Sequence, residues 1–239
     1  MKGLQFDGLE IPSAEPTIER IQLANPEGTE LQIAISFSAV GSQDEARTIA
    51  ARVIEPILNR LAFQENIAIG FPRPLTSSFI EIQTDGPLDH NLSLVAHVYV
   101  QDYFTAIRVL HPNAAAQLQA DLVRPAPAGE PHYSAFRQAL NAEDFVDRFM
   151  SLFRILLDLR RTPDGRESQE VVDNFIHTEF GEALVAPSHR PNAPETVYTR
   201  LRNEVGHARP GVLPETTRQE ISTHLADLAK IVRRAIELS

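Results

Sequence analysis

The chain of 239 residues contains no cysteine. That absence removes disulfide bonds, thiolate zinc sites and cysteine nucleophiles together. Lysine is nearly missing as well: Lys2 and Lys230 are the only two among 22 basic residues, a bias that points to genome composition before function. No apolar run approaches the roughly 18 residues needed to cross a bilayer. The start, Met1-Lys2-Gly3-Leu4-Gln5-Phe6-Asp7, is not an apolar signal segment. A cytoplasmic protein without membrane contact is therefore expected. There is no Gly-rich phosphate loop, no Gly-x-Ser-x-Gly and no dinucleotide fingerprint. The eight histidines include no His-x-x-x-His pair, so neither a metal nor another cofactor is expected.

What is present suits a folded protein. Hydrophobic residues make up 43% and charged residues 23% of the chain, the balance of an ordinary globular protein with a real core. The formal charge of −10 argues against broad, nonspecific nucleic-acid binding, which needs a basic face to neutralise many phosphates. The deficit is uneven: residues 1–125 carry 8 basic and 15 acidic side chains, residues 126–239 carry 14 and 17. An anionic ligand therefore belongs with the C-terminal half, in a local basic cleft and not in a global field.

The chain divides in its middle. Three prolines and a glycine between Arg124 and Pro131 prevent regular hydrogen-bonded structure and predict a linker over 124–131. Before it, Leu31, Ile33, Ile35 and Phe37 alternate with smaller or polar residues, as do Leu92, Leu94, Ala96, Val98 and Val100; both read as strands. Ile80 and Ile82 suggest another, and Ile18 to Leu23 a fourth. Ala46, Ile49, Ala50, Val53, Ile54, Ile57, Leu58 and Leu61 recur at helical spacing after Ser42, Asp44 and Glu45, which suit a helix start. Pro56 is expected to kink or divide that helix. Residues 1–123 thus read as an α+β domain, a mostly antiparallel sheet on one main helix. It carries no site motif; Asp85, Asp89 and His90 are loop material, His97 is a solvated or half-buried strand residue and not a ligand, and recognition or assembly is the expected role.

Residues 132–239 read as helical throughout. One helix carries Phe145, Phe149, Leu152, Phe153, Leu156 and Leu159, a second Val171, Val172, Phe175, Ile176 and Phe180. A third starts near Pro194 and holds Val197, Leu201 and Val205, and a last one carries Ile221, Leu225, Leu228, Val232 and Ile236 after the turn Pro210-Gly211-Val212-Leu213-Pro214. Four amphipathic helices with short connections make a bundle.

The third of these holds the most informative stretch, Tyr198-Thr199-Arg200-Leu201-Arg202-Asn203-Glu204-Val205-Gly206-His207. With Leu201 at the centre of the apolar stripe and about 100° per residue, Arg202 falls near 100°, Asn203 near 200° and His207 near 240°. Asn203 and His207 are thus expected on a face turned away from the bundle core, with Arg202 on the flank. Arg-Asn-x-x-x-His at this position resembles the signature of HEPN domains, helical bundles of which many members cut RNA without a metal. The resemblance covers residues from about 131 to 239. An α+β part followed by such a bundle also resembles the J-type proteins of methylamine-utilisation clusters, though no motif in residues 1–123 supports that narrower match.

The HEPN resemblance implies a homodimer formed through the C-terminal bundle, with two copies of the motif bordering one cleft. It implies an RNA substrate cut through its own 2′-hydroxyl: His207 as acid/base, Arg202 as electrostatic stabiliser, Asn203 as orienter of phosphate or histidine. An imidazole exchanges a proton near neutral pH and a guanidinium pairs two phosphate oxygens. Tyr198, one turn earlier, is a candidate helper, and Arg160 and Arg161, with Arg166, are candidates to extend the RNA-binding surface. A toxin-like or defensive role with a protein regulator fits this class. The alternative is a noncatalytic HEPN-like binding or assembly protein, whose Arg202, Asn203 and His207 form a polar network at a dimer seam.

Overall fold

The computed structural model describes residues 4–82, 89–101, 108–109, 112–124, 130–185, 194–207 and 213–239. The chain falls into two compact units, Met1–Pro127 and Ala128–Ser239. The first is built from β1 (Leu4–Ile11), β2 (Ile18–Asn25), β3 (Glu30–Val40), α1 (Gln43–Glu65), β4 (Ala68–Ile69), β5 (Arg73–Ile82), β6 (Asp89–Gln101), β7 (Arg108–Val109) and α2 (Pro112–Val123). The strands run β4-β6-β3-β2-β1-β7, with β5 also paired to β6, and every pairing is antiparallel except β1 with β7. The unit is the mostly antiparallel α+β fold that the alternating residues predict.

The register explains the alternation. Leu31, Ile33, Ile35 and Phe37 of β3 are all at most 1% exposed, whereas the intervening Gln32 is exposed. One sheet face thus meets α1 through Ala46, Ala50, Ile54, Leu58 and Leu61. The Ser42 hydroxyl accepts the Glu45 N–H at 3.1 Å and caps α1. Ser42→Ala is expected to lower stability by about 1 kcal/mol, read as a shift in the denaturant midpoint. A single helix spans residues 43–65 with Pro56 inside it: one N–H is forgone, and the buried stripe on either side keeps the helix whole. The loop expected around Asp85 and the side chains of Asp89, His90 and His97 lie outside the described residues.

The second unit contains five helices among its described residues, one more than predicted: α3 (Pro131–Leu140), α4 (Phe145–Leu159), α5 (Gln169–Phe180), α6 (Val197–His207) and α7 (Glu215–Glu237). The additional helix, α3, begins inside the predicted linker, with Pro131 in the first turn where its missing N–H has no partner to lose. It packs Tyr133, Phe136 and Leu140 against α4. Helix α4 is the axis of the unit. Phe149, Leu152, Phe153 and Leu156 are at most 1% exposed, and α7 lies along α4 through Ile221, Leu225, Leu228, Val232 and Ile236.

A carboxylate ties α7 to the start of α4. Asp144 caps α4 by accepting the Val146 N–H at 2.7 Å, and the Arg218 guanidinium donates to its other oxygen at 3.0 Å. Burial pushes the Asp144 carboxyl up, but the Arg218 and Val146 bonds outweigh it and hold it below 3.8. A carboxyl depressed in the fold stabilises above its unfolded value and loses that contribution as pH falls through its folded value. Arg218→Ala is accordingly expected to bring the acid unfolding midpoint to higher pH.

Candidate active site

Helix α6 starts later than Pro194 suggests. Glu195 pairs with Val185 in an isolated bridge, and Thr196 takes the cap position, its hydroxyl accepting the Thr199 N–H at 3.4 Å. The cap is fixed from α5. Asp173, 3% exposed, uses one carboxylate oxygen to accept the Thr196 N–H at 3.0 Å, the Thr196 hydroxyl at 2.6 Å and the Thr199 hydroxyl at 2.7 Å. Burial raises the Asp173 carboxyl above its ordinary value, with the threonine bonds opposing.

This anchor changes the orientation expected for the motif. Tyr198, Thr199 and Leu201 are buried, while Val197 and Val205 are only half-buried. The helix is thus covered on two sides, and the Thr199–Asn203 side meets α5. Asn203 does not face away from its own unit: its carbonyl oxygen accepts Gln169 Nε2 at 2.9 Å, and its Nδ2 donates to Glu195 at 3.1 Å. A wheel drawn on α6 alone registers the core at Leu201 and misses the start of α5 behind it.

Arg202 and Asn203 meet directly. The Arg202 Nη1 donates to the Asn203 carbonyl oxygen at 3.1 Å. The same nitrogen would lie 3.9 Å from a Cβ placed on Gly206, so the guanidinium runs along the helix toward the residue before His207. Among the described residues Arg202 has no carboxylate within ion-pair distance. His207 is exposed and is the last residue of α6. No hydrogen bond joins His207 to Arg202 or Asn203.

The other candidates are committed elsewhere. Tyr198 is fully buried, edge-on to His224 with 5.7 Å between ring centroids. Burial first, then the charges of Glu182 and Asp227, push its phenol above the ordinary value. It sits in the core of the unit, away from solvent. Arg160 donates to the Ala235 carbonyl at 3.0 Å and lies 4.1 Å over the Phe175 ring, so it ties α7 and α5 to the end of α4. Arg161 donates to Asp158 at 2.8 Å and to the Gly165 carbonyl at 3.0 Å, and Arg166 pairs with Asp164 at 3.0 Å. These arginines hold a helix end and a turn, with the Arg166 side chain 84% exposed.

Arg202 borders a cleft of about 480 Å³ between α3 and α4, closed at one end by the turn before α5. Two carboxylates at that end, Asp158 and Glu167, are already shared by Arg154 and Arg161 at 2.8–3.8 Å. The carboxylates nearest the cleft are thus neutralised, which leaves the Arg202 charge available to an incoming anion. In the first unit, a separate apolar hollow of about 380 Å³ lies between α1, β3 and β6, beside the exposed ring of Phe71. Among the described residues no helix is long and apolar enough to cross a membrane.

Neither the spacing of Gln169 nor that of Asp173 gives a signal in the sequence, because both reach α6 from 23 to 34 residues away. No family model, no curated protein and no solved structure matches this chain.

Proposed function

We propose that the second unit is a metal-independent endoribonuclease of HEPN type, acting as a homodimer. The observation that carries this is the Arg202 guanidinium: held by Asn203 on the wall of a cleft, it has no carboxylate partner among the described residues. A cation left uncommitted in an acidic protein suits an anionic ligand. His207, exposed at the end of the same helix, supplies the group that moves a proton. In this reading the 2′-hydroxyl of RNA attacks the adjacent phosphate and the bond from phosphorus to the 5′-oxygen breaks, leaving a 2′,3′-cyclic phosphate and a 5′-hydroxyl; His207 takes the 2′-hydroxyl proton and a proton is returned from imidazole to the leaving 5′-oxygen, while Arg202 offsets the charge that builds on phosphate oxygens. Asn203 acts on Arg202 as a positioning residue. Its own amide is occupied by Gln169, Glu195 and Arg202, so this role differs from both expected ones, orienting phosphate or orienting the histidine.

The test is incubation of structured and unstructured RNAs in chelator with the parent, Arg202→Ala and His207→Ala proteins. Cleavage by the parent alone supports the proposal; equal cleavage by all three places the activity elsewhere. Gln169→Ala frees the Asn203 carbonyl from one of its two donors. It is expected to lower kcat with little change in KM, whereas an unchanged kcat would remove Asn203 from the positioning role.

A second reading is favoured by the saturation of Asn203. An amide bonded to Gln169, Glu195 and Arg202 is also what a structural polar network requires, and a noncatalytic assembly protein would use it so. Loss of dimer in Arg202→Ala without any cleavage by the parent would favour that reading.

A further inference from the structure

The cleft beside Arg202 has more in it than a place for phosphate. It continues along α3 and α4, where its floor is apolar and its rim is not. Ala135 and Ala139, one turn apart on α3, contribute only methyl groups to the lining; α4 contributes Met150 and buried Phe153. The rim carries the exposed amide of Gln138 and the exposed hydroxyl of Ser151.

The geometry points to this slot as the seat of one unpaired RNA base next to the phosphate held by Arg202. The inference rests on the ribonuclease reading of Arg202 and His207 and adds the substrate class to it: single-stranded RNA with a base preference beside the cut.

Three features select a base. First, Ala135, Ala139 and Met150 give the cleft an apolar part beside its polar groups, and Met sulfur packs well against aromatic faces. Second, a base needs donors and acceptors along its edge. An amide offers both from one side chain, and a hydroxyl adds either. Gln138 spends its NH₂ only on Ser134, at 3.3 Å within the same exposed helix face, a bond readily exchanged for one to a ligand. Third, the slot shares its lining with Arg202, so a base seated there and a phosphate at the guanidinium belong to one nucleotide or to neighbours. At about 480 Å³ the cleft is of the size that small-molecule sites commonly have, about 300–1,000 Å³. A base paired in a duplex cannot enter it, because recognition of this kind needs bases splayed out of the stack.

The chain offers a clean reporter. Its two methionines are Met1 and Met150, so ¹³C-methyl labelling of methionine places one of two signals in the slot. The full chain is titrated with trinucleotides that carry 2′-deoxyribose at the centre and cannot be cut there, and with an abasic trinucleotide of equal charge. The expected result is a saturable shift of the Met150 methyl with at least one base-bearing trinucleotide and none with the abasic one. Ala135→Phe, which adds a ring to the slot from an exposed position on α3, is expected to weaken binding by about tenfold or more, the loss of one stacked base. Gln138→Ala, which leaves the slot open, is expected to bind while losing discrimination among bases.

Equal shifts with the abasic trinucleotide, no Met150 shift at all, or unchanged affinity in Ala135→Phe would each overturn the base seat. The ribonuclease reading fails separately. If Met150 responds and Ala135→Phe abolishes the response while no RNA is cut, the slot binds a base and the cleavage reading is wrong. If RNA is cut by way of Arg202 and His207 but Ala135→Phe keeps the parent KM and base preference, the cleavage reading stands and the slot does not.

Discussion

His207→Ala is expected to slow RNA cleavage by about 10²–10⁴-fold, the usual contribution of a positioned acid/base group, while leaving thermal stability unchanged. The two halves of that statement come from separate observations. His207 is exposed at the C-terminus of α6 and donates or accepts no hydrogen bond among the described residues, so its removal takes nothing from the packing; surface changes of this kind stay within about 0.5 kcal/mol. Its chemistry, by contrast, has no substitute on the same helix end. Arg202→Ala is expected to cost about 10²–10³-fold in kcat, the loss of one preorganised charge facing the transition state. Arg202→Lys should recover only part of it, because a point charge cannot hold both the Asn203 carbonyl and two phosphate oxygens in one plane. Kinetics of the three variants on a single RNA, with melting curves as the control, check the set. A His207→Ala protein as active as its parent would remove the acid/base role.

Asp173→Ala is expected to destabilise the second unit by about 3 kcal/mol, one for each of the three hydrogen bonds removed. The three donors converge on a single oxygen in a site that water barely reaches. Without the carboxylate, a backbone N–H and two hydroxyls at the start of α6 are left buried, and the cap of the helix carrying Arg202 and His207 is loosened. Cleavage should fall with stability, which distinguishes Asp173 from the motif residues. Asp173→Asn keeps an acceptor of the same shape and should cost less. The pH dependence separates the two chemistries. Because burial raises the Asp173 carboxyl in the fold, the native state binds a proton there more readily than the unfolded chain does. Its contribution is therefore full below the ordinary value of 3.8 and declines as pH rises through the folded value. The stability gap between parent and Asp173→Asn should shift in the parent's favour as pH is lowered from neutral. Denaturant midpoints of both proteins across that range measure it.

The parts of the fold visible in the sequence are those whose burial repeats with one unbroken period. Strand β3 alternates through Leu31, Ile33, Ile35 and Phe37, and α4 carries its stripe from Phe145 to Leu159 without interruption. Strand β1 escaped notice because its register shifts between Phe6 and Leu9: the buried residues Phe6, Leu9 and Ile11 do not alternate. Helix α2 is rich in alanine, which gives little contrast between faces. Helix α3 was hidden by the prolines before it and by Arg137, a charged residue only 2% exposed on an otherwise apolar side.

The site divides along the same line. The neighbours Arg202 and Asn203, and their place on a helix ending at His207, follow from local spacing. What surrounds them does not. Gln169 reaches Asn203 across 34 residues, and Asp173 reaches Thr196 and Thr199 across 23 and 26; such polar contacts follow no period. Asn203 was therefore assigned to the outer face when its amide belongs to a junction between two helices. Residue type does not reveal that Tyr198 is sealed in the core or that Arg160, at the end of α4, reaches the Ala235 carbonyl and the Phe175 ring.

The central claim is that a phosphodiester is broken by its own 2′-hydroxyl, with Arg202 and His207 as the groups that act on it. An RNA containing one preferred cut site is compared with the same strand carrying 2′-deoxyribose at that nucleotide alone, in chelator, with product ends read by mass spectrometry. The account predicts 2′,3′-cyclic phosphate ends from the first and no cut at the substituted position of the second. Cleavage of the substituted strand at that position, or products ending in a 3′-hydroxyl, would contradict it.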